Sequence, residues 1–128
     1  ITAIYQEIEQ ITEEARGNGL YLRITEYLYL HYSEPVTLKT LAADFNMNYS
    51  YLSSYFSSHM GQGINEFLNS IRVEKAKELL SSSELSLSEI AQEIGYTDQS
   101  YFGKVFKKQT GYSPHTYRNR AKRRGETL

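Results

Sequence analysis

The sequence predicts an all-α fold in which two helix-turn-helix subdomains are joined by a long connecting helix, about seven helices in all, preceded by an N-terminal linker helix. Three observations predict this arrangement. A pattern of helix, turn and longer helix occurs twice, about 50 residues apart. A run of apolar residues at helical spacing separates the two copies, and glycine or asparagine stands where helices would end.

Residues 1–19 predict a linker helix with a short heptad seam, because their apolar residues recur at alternating steps of three and four. The isoleucines of the seam are Ile1, Ile4, Ile8 and Ile11. The seam indicates a homodimer, and a helix packed within one chain is the alternative that the spacing leaves open. Residues 17–19 tolerate left-handed backbone and predict a hinge. Because the chain opens within a helical pattern at Ile rather than Met, we expect a fragment of a longer protein.

Residues 20–62 predict the first subdomain. Its first helix runs from about Leu20 to Tyr32 and ends before Pro35. Thr37 is suited to cap the next helix, whose apolar residues have the i, i+3, i+4, i+7 spacing of one helix face. These residues are Leu38, Leu41, Ala42 and Phe45.

Residues 63–82 predict the connecting helix, which carries an apolar stripe over about 17 residues and ends in a serine-rich stretch. The stripe consists of Ile64, Phe67, Leu68, Ile71, Ala76, Leu79 and Leu80. At ~1.5 Å per residue it is about 25 Å long, and we expect it to act as a rigid spacer.

We expect residues 83–120 to form the second subdomain, whose pattern repeats the first. Residues 121–128 are expected to form a basic tail. Leu87, Ile90, Ala91 and Ile94 have the spacing of the first copy after Ser86, with Glu89 completing a capping box. The offset between the copies grows from 49 to 50 after the turn, so one extra residue lies in the second turn. The predicted turn, cap and end positions of the two copies are Asn46, Asn48 and Gly61, and Gly95, Asp98 and Gly111.

The longer helix of each copy predicts a buried side that contains Leu52 and several aromatic residues. The aromatic residues are Tyr51, Phe56, Tyr101, Phe102 and Phe106. Their helical spacing indicates core packing rather than a stacking platform for single-stranded nucleic acid.

Composition narrows the classes of protein. The chain has no cysteine, which excludes disulfides and thiolate metal sites and agrees with the cytoplasm, and no run of about 18 apolar residues that would cross a membrane. The net charge is −1, but residues 98–128 carry eight cations against two carboxylates. That part is therefore +6 and the rest −7, which favours a nucleic-acid-binding end over an ordinary basic tail.

The exposed side of each longer helix has short polar or basic residues, which can contact base edges and phosphates of double-stranded DNA. In the first copy these are Tyr49, Ser50, Ser53, Ser54, Ser57 and Ser58, and in the second Gln99, Ser100, Gly103, Lys104, Lys107 and Lys108. A single such face would be typical of any solvated helix. Its duplication in matching register favours DNA recognition, with the second helix contributing more.

The stretch IAQEIGYTDQSYFGKVFKKQTGYSPHTYR at residues 90–118 resembles the signature of the AraC/XylS family of bacterial transcription regulators. HYSEPVTLKTLAADFNMNYSYLSSYFSSHMG resembles the family's first helix-turn-helix, and INEFLNSIRVEKAKELL its connecting helix. The resemblance implies two recognition helices in successive major-groove segments about 34 Å apart. It implies base contacts by Ser50, Ser53 and Ser54, then by Gln99, Ser100, Gly103 and Lys104.

Two features of the resemblance bear on mechanism. Ser54 stands where the family usually has arginine, and Ser57 and Ser58 replace neighbouring cations, so we expect weaker base contacts from the first copy. The acidic heptads and Tyr32–Pro35 resemble output domains of two-component response regulators, which implies an upstream receiver domain. An upstream ligand-binding barrel is the alternative. RNA polymerase is a further partner that the resemblance admits.

No catalytic or cofactor site is predicted. His31, His59 and His115 are scattered without partners at metal-ligand spacing, and neither a Gly-x-Ser-x-Gly elbow nor a phosphate-binding glycine loop is present. The competing hypothesis is a helical protein-interaction module that keeps a regulator-like fold without binding DNA, since the first recognition helix is rich in serine.

Overall fold

The computed structural model describes residues 19–126, which form seven α-helices and no strand. The helices are α1 (Gly19–His31), α2 (Leu38–Asp44), α3 (Tyr49–Met60), α4 (Ile64–Ser82), α5 (Leu87–Glu93), α6 (Gln99–Thr110) and α7 (Pro114–Glu126). The all-α prediction is confirmed. The predicted linker helix with its isoleucine seam lies outside the described residues, and Gly19 of the predicted hinge is the first residue of α1.

Two separate apolar cores divide the described part of the chain into two lobes. The first lobe packs α1, α2, α3 and the first half of α4 around buried residues such as Leu41, Leu52 and Phe56. The second lobe packs the second half of α4 with α5, α6 and α7 around Ile90, Phe102 and other apolar side chains. The connecting helix thus belongs to both cores.

The connecting helix differs from the prediction of one continuous stripe. Ile64, Phe67, Leu68 and Ile71 are buried in the first core, whereas Val73, Ala76 and Leu80 are buried in the second. Since each residue turns an α-helix by about 100°, the step from Ile71 to Val73 moves the buried side to nearly the opposite face. The helix therefore has two apolar half-stripes, and the lobes attach to different faces of a 19-residue helix.

The predicted caps and turns are confirmed. Thr37 and Ser86 cap α2 and α5 through capping boxes, in which Thr40 and Glu89 return a bond to the cap backbone. Asn48 and Asp98 cap α3 and α6.

Positive φ values occur at the predicted positions, 52° at Asn46 and 105° at Gly95. Four residues separate α2 from α3 and five separate α5 from α6, which confirms the extra residue in the second turn.

Two buried-core expectations are wrong. Tyr51 and Tyr101 lie on the exposed sides of α3 and α6, with 59% and 49% of their surface accessible, while Phe56, Phe102 and Phe106 are fully buried as expected.

Residues 121–126 of the predicted basic tail continue the last helix, α7. Among the described residues, no helix is both long and apolar enough to cross a membrane.

Candidate nucleic-acid interface

The α6 helix presents its polar residues on one solvent-facing side. Asp98 accepts a hydrogen bond from the Ser100 backbone at 2.9 Å and so begins the helix. Phe102, Val105 and Phe106 are buried on the opposite side. The structure brings all the predicted residues of this helix to the outer side: Gln99, Ser100, Lys104, Lys107 and Lys108 are exposed and Gly103 is half-buried.

The α3 helix presents the equivalent side with a different charge. Tyr49, Ser50, Ser54, Ser57 and Ser58 are exposed and Ser53 is half-buried, while Leu52 and Phe56 are buried beneath them. The three lysines of α6 correspond to serines at the same register in α3. Because cations supply most of the attraction to phosphates, α6 is the more strongly attractive of the two helices.

A polar cleft runs between α6 and the start of α4. Lys104 and Lys108 line it together with Gln62 and Asn65, which lie at the end of the first lobe. Tyr101 accepts a hydrogen bond from the Asn69 side chain at 3.5 Å across this cleft. Lys104 and Lys108 of the second recognition helix therefore face the gap between the lobes as well as the solvent.

Part of the C-terminal positive charge is engaged within the chain. Arg118 donates to the carbonyl oxygens of Leu80 and Ser83 at 3.2 and 3.3 Å, which satisfies the end of α4. Lys122 forms an ion pair with Glu84 at 3.6 Å. These two cations are therefore held by partners within the chain, whereas Lys104, Lys107 and Lys108 lie exposed on α6.

A second cationic group lies on α7. Arg120 stacks on the Tyr112 ring at 4.6 Å, and Arg123 and Arg124 line the same open cleft. Tyr112 follows Gly111, the residue that ends α6. This group is adjacent to the end of the second recognition helix.

The sequence analysis missed a buried arginine, Arg72, in the middle of α4. It is only 7% exposed, and its Nε and Nη2 donate to the carbonyl oxygens of Tyr32 and Glu34 at 2.7 and 3.0 Å. Burial lowers the pKa of Arg72 from its usual value, and burial raises the pKa of the adjacent Tyr96 to about 12. In the sequence, the only sign of it is a charged residue between two β-branched apolar residues, Ile71 and Val73. The structure buries all three.

The histidines do not come together as a metal site. His31 contacts Glu34, His59 contacts the Tyr55 carbonyl oxygen, and His115 contacts Asn119. Over residues 19–126 no group of three or more potential ligands is close enough to hold a metal ion.

Sequence comparison finds that the family described as "Helix-turn-helix domain" matches residues 41–120. The uncharacterized HTH-type transcriptional regulator YijO of Escherichia coli K12 is 36% identical over 109 residues, which are 85% of this chain and 38% of that protein. The raffinose operon transcriptional regulatory protein RafR of Pediococcus pentosaceus is 38% identical over 92 residues, or 72% and 33% of the two chains. The chain therefore spans only about a third of the length of these two regulators.

Solved structures agree with the sequence matches. The C-terminal domain of AraT, a response regulator from Geobacillus stearothermophilus, is 39% identical with a TM-score of 0.76, over 79% of this chain and 84% of that one. The DNA-binding domain of the global transcriptional factor AdpA, in complex with a target DNA, is 28% identical with the same TM-score of 0.76, over 80% and 93%.

Proposed function

The chain belongs to the AraC-type helix-turn-helix family of transcription regulators, whose DNA-binding domain it forms, and from that premise we propose how it contacts promoter DNA. The helices α3 and α6 enter successive major-groove segments on one face of the duplex, about 34 Å apart. The α6 helix contributes the greater share of affinity and base discrimination.

One observation carries this proposal: two helices of a repeated motif expose the same register positions, and only the second has lysines there. Residues near the start of a recognition helix reach base edges, and later residues reach phosphates. We assign contacts with base edges to Ser50, Ser53, Ser54, Gln99, Ser100, Gly103 and Lys104. Contacts with the phosphates of the DNA backbone are assigned to Tyr49, Ser57, Lys107 and Lys108. The similar AdpA domain is solved in complex with a target DNA, which supports DNA binding by this fold.

We further propose that a receiver domain precedes this chain in the whole protein and that its site of action is the cytoplasm. The similarity to the AraT response-regulator domain supports the receiver, and the nearly equal identity to the raffinose operon regulator RafR leaves a ligand-binding barrel as the alternative. RNA polymerase is the proposed protein partner at the promoter. To test the receiver, the whole protein is phosphorylated and its affinity for promoter DNA is measured. We expect the affinity to change with phosphorylation. An affinity that responds instead to a small sugar would contradict the proposal.

Selection of bound sites from random duplexes tests the DNA proposal. We expect two enriched blocks with centres about 10 bp apart, and an affinity that falls steeply as salt rises. As a control, Lys77→Ala removes a cation on α4 that pairs with Glu74 at 2.9 Å, and it should leave binding unchanged. A single enriched block unaffected by changes in either recognition helix would contradict the two-groove arrangement. No enrichment at any salt concentration would instead support the protein-interaction module.

A further inference from the structure

The two lobes meet at a compact group of side chains around the middle of α4. Arg72 binds two carbonyl oxygens that follow α1 in the first lobe, and its guanidinium stacks on the Tyr96 ring of the second lobe at 4.9 Å. Tyr32 packs against both apolar cores. Arg72 therefore touches elements of both lobes at once.

Gly95 allows the lobes to approach this closely. A Cβ atom at Gly95 would lie 2.9 Å from Nη2 of Arg72 and 2.9 Å from the Tyr32 carbonyl oxygen, and its φ of +105° also disfavours a side chain. The turn between α5 and α6 thus lies directly against the segment that follows α1 in the first lobe.

Tyr96 passes the contact on to the second recognition helix. Its hydroxyl donates to the Asn69 side chain on α4 at 2.6 Å. Its ring stacks on Phe102 of α6, with ring centres 5.6 Å apart. Because Tyr96 lies two residues before the cap of α6, its position helps to set where that helix begins.

We infer that Tyr32, Asn69, Arg72, Gly95 and Tyr96, the inter-lobe junction, are positioning residues that hold α6 at one distance and rotation relative to α3 and so set the half-site spacing that the protein accepts. This inference rests on the proposed function. The connecting helix alone would leave each lobe attached through one face of α4. The junction adds a second attachment on a different side.

The spacing of half-sites is the property that such a junction controls. One inserted base pair moves the second block by about 3.4 Å and rotates it by about 34°. When two binding units are rigidly linked, the second binds at a high effective concentration only where the geometry fits. A rigid junction therefore predicts strong binding at one spacing, and a loosened junction predicts weaker binding with little preference.

Two variants loosen the junction with little change in shape. Arg72→Lys keeps the charge but loses the planar fork that serves two carbonyl oxygens, and Tyr96→Phe keeps the ring but removes the bond to Asn69. Arg118→Lys is the matched control, because Arg118 makes the same kind of bond to two carbonyl oxygens, and both of them, Leu80 and Ser83, lie on the side of the second lobe.

The experiment measures affinity for the selected duplex at its own spacing, with one base pair inserted or removed, and for a duplex with only the second block. We expect the wild type and Arg118→Lys to lose at least tenfold on insertion or removal. Each junction variant should bind the native spacing about tenfold more weakly, lose less than about threefold on insertion, and bind the single block like the wild type.

Wild-type spacing preference in both junction variants would overturn the inference, as would an equal loss of preference in Arg118→Lys. If Arg72→Lys does not fold, Tyr96→Phe decides, because it removes one hydroxyl and retains the packed ring. The proposed function fails separately, when the wild type selects no duplex. Failure of the inference alone appears as two selected blocks with a spacing preference that the junction variants retain.

Discussion

Lys104 and Ser54 occupy the same register position in the two recognition helices, and both are exposed. Lysine can contact guanine or phosphate with a full charge, whereas a serine hydroxyl gives one weak and unselective hydrogen bond. We expect Lys104→Ala to weaken binding of the selected duplex by about 1 to 3 kcal/mol and Ser54→Ala to do less. Fluorescence titration at fixed salt measures both, and equal losses would remove the ranking of α6 above α3.

Two glycines of the second lobe predict opposite effects of the same substitution on stability. Gly95 has positive φ and no space for a methyl group, whereas Gly103 lies inside α6 and, apart from its chain neighbours and the backbone of its own helix, no atom lies within 4 Å of its Cβ position. Gly95→Ala should lower the free energy of unfolding by about 1 to 3 kcal/mol or more. Gly103→Ala should raise it by about 0.5 to 1 kcal/mol, because alanine favours the helix. Urea denaturation without DNA compares them, and the same sign for both would contradict the structure.

The element α5 begins with a capping box that contains an ionisable residue. The Ser86 backbone N–H donates to the Glu89 carboxylate at 3.1 Å, and this bond, with the contact to the Ser86 hydroxyl, lowers the pKa of Glu89 below its ordinary value. A depressed folded-state pKa stabilises the folded chain above the unfolded-state pKa of about 4.3. That contribution to stability is lost as the pH falls from the unfolded-state pKa through the lower pKa of Glu89 in the folded chain.

Glu89→Gln should therefore change the acid sensitivity of the second lobe. Glutamine can keep the bond to the cap backbone but has no charge, so the advantage of the wild type in melting temperature should shrink as the pH falls below about 4.3. The capping box of α2 provides the control, since Thr40 takes the same position there and does not titrate. The difference between wild type and Thr40→Val should stay constant with pH. A Glu89→Gln difference that also stays constant would show that the carboxylate charge does not contribute.

At the scale of the whole molecule, the arrangement of charge and the oligomeric state decide how the protein meets DNA. Lys104 and Lys108 of α6 line the cleft between the lobes, and Arg120, Arg123 and Arg124 of α7 form a second group past the end of α6. A homodimer would place two such pairs of recognition helices on one promoter. The isoleucine seam at residues 1–15 is the proposed dimer contact, and it lies outside the described residues.

Sedimentation equilibrium tests the seam. If Ile1, Ile4, Ile8 and Ile11 pair two chains, the full chain should show a concentration-dependent mass up to twice the monomer, because two heptads give a weak coiled coil. A chain without residues 1–15 should remain monomeric and keep the seven helices of residues 19–126. Ile4→Glu with Ile8→Glu is a milder variant with the same expected result. Monomeric mass for the full chain at all concentrations would favour a helix that packs within one chain.

Short-range spacing was enough to predict the helices, caps and turns of residues 19–126 and the outward side of both recognition helices. These features depend on residues three or four apart, as in the Ser86 capping box, or on one backbone angle, as at Asn46 and Gly95. Repetition about 50 residues later then identified the second lobe. The same patterns said nothing about Arg72, whose partners lie 38 and 40 residues earlier in the chain. They also misplaced Tyr51 and Tyr101, and they merged the two faces of α4 into one stripe. Which face of a helix is buried, and what a buried charge contacts, depend on how distant elements pack, and no local spacing carries that information.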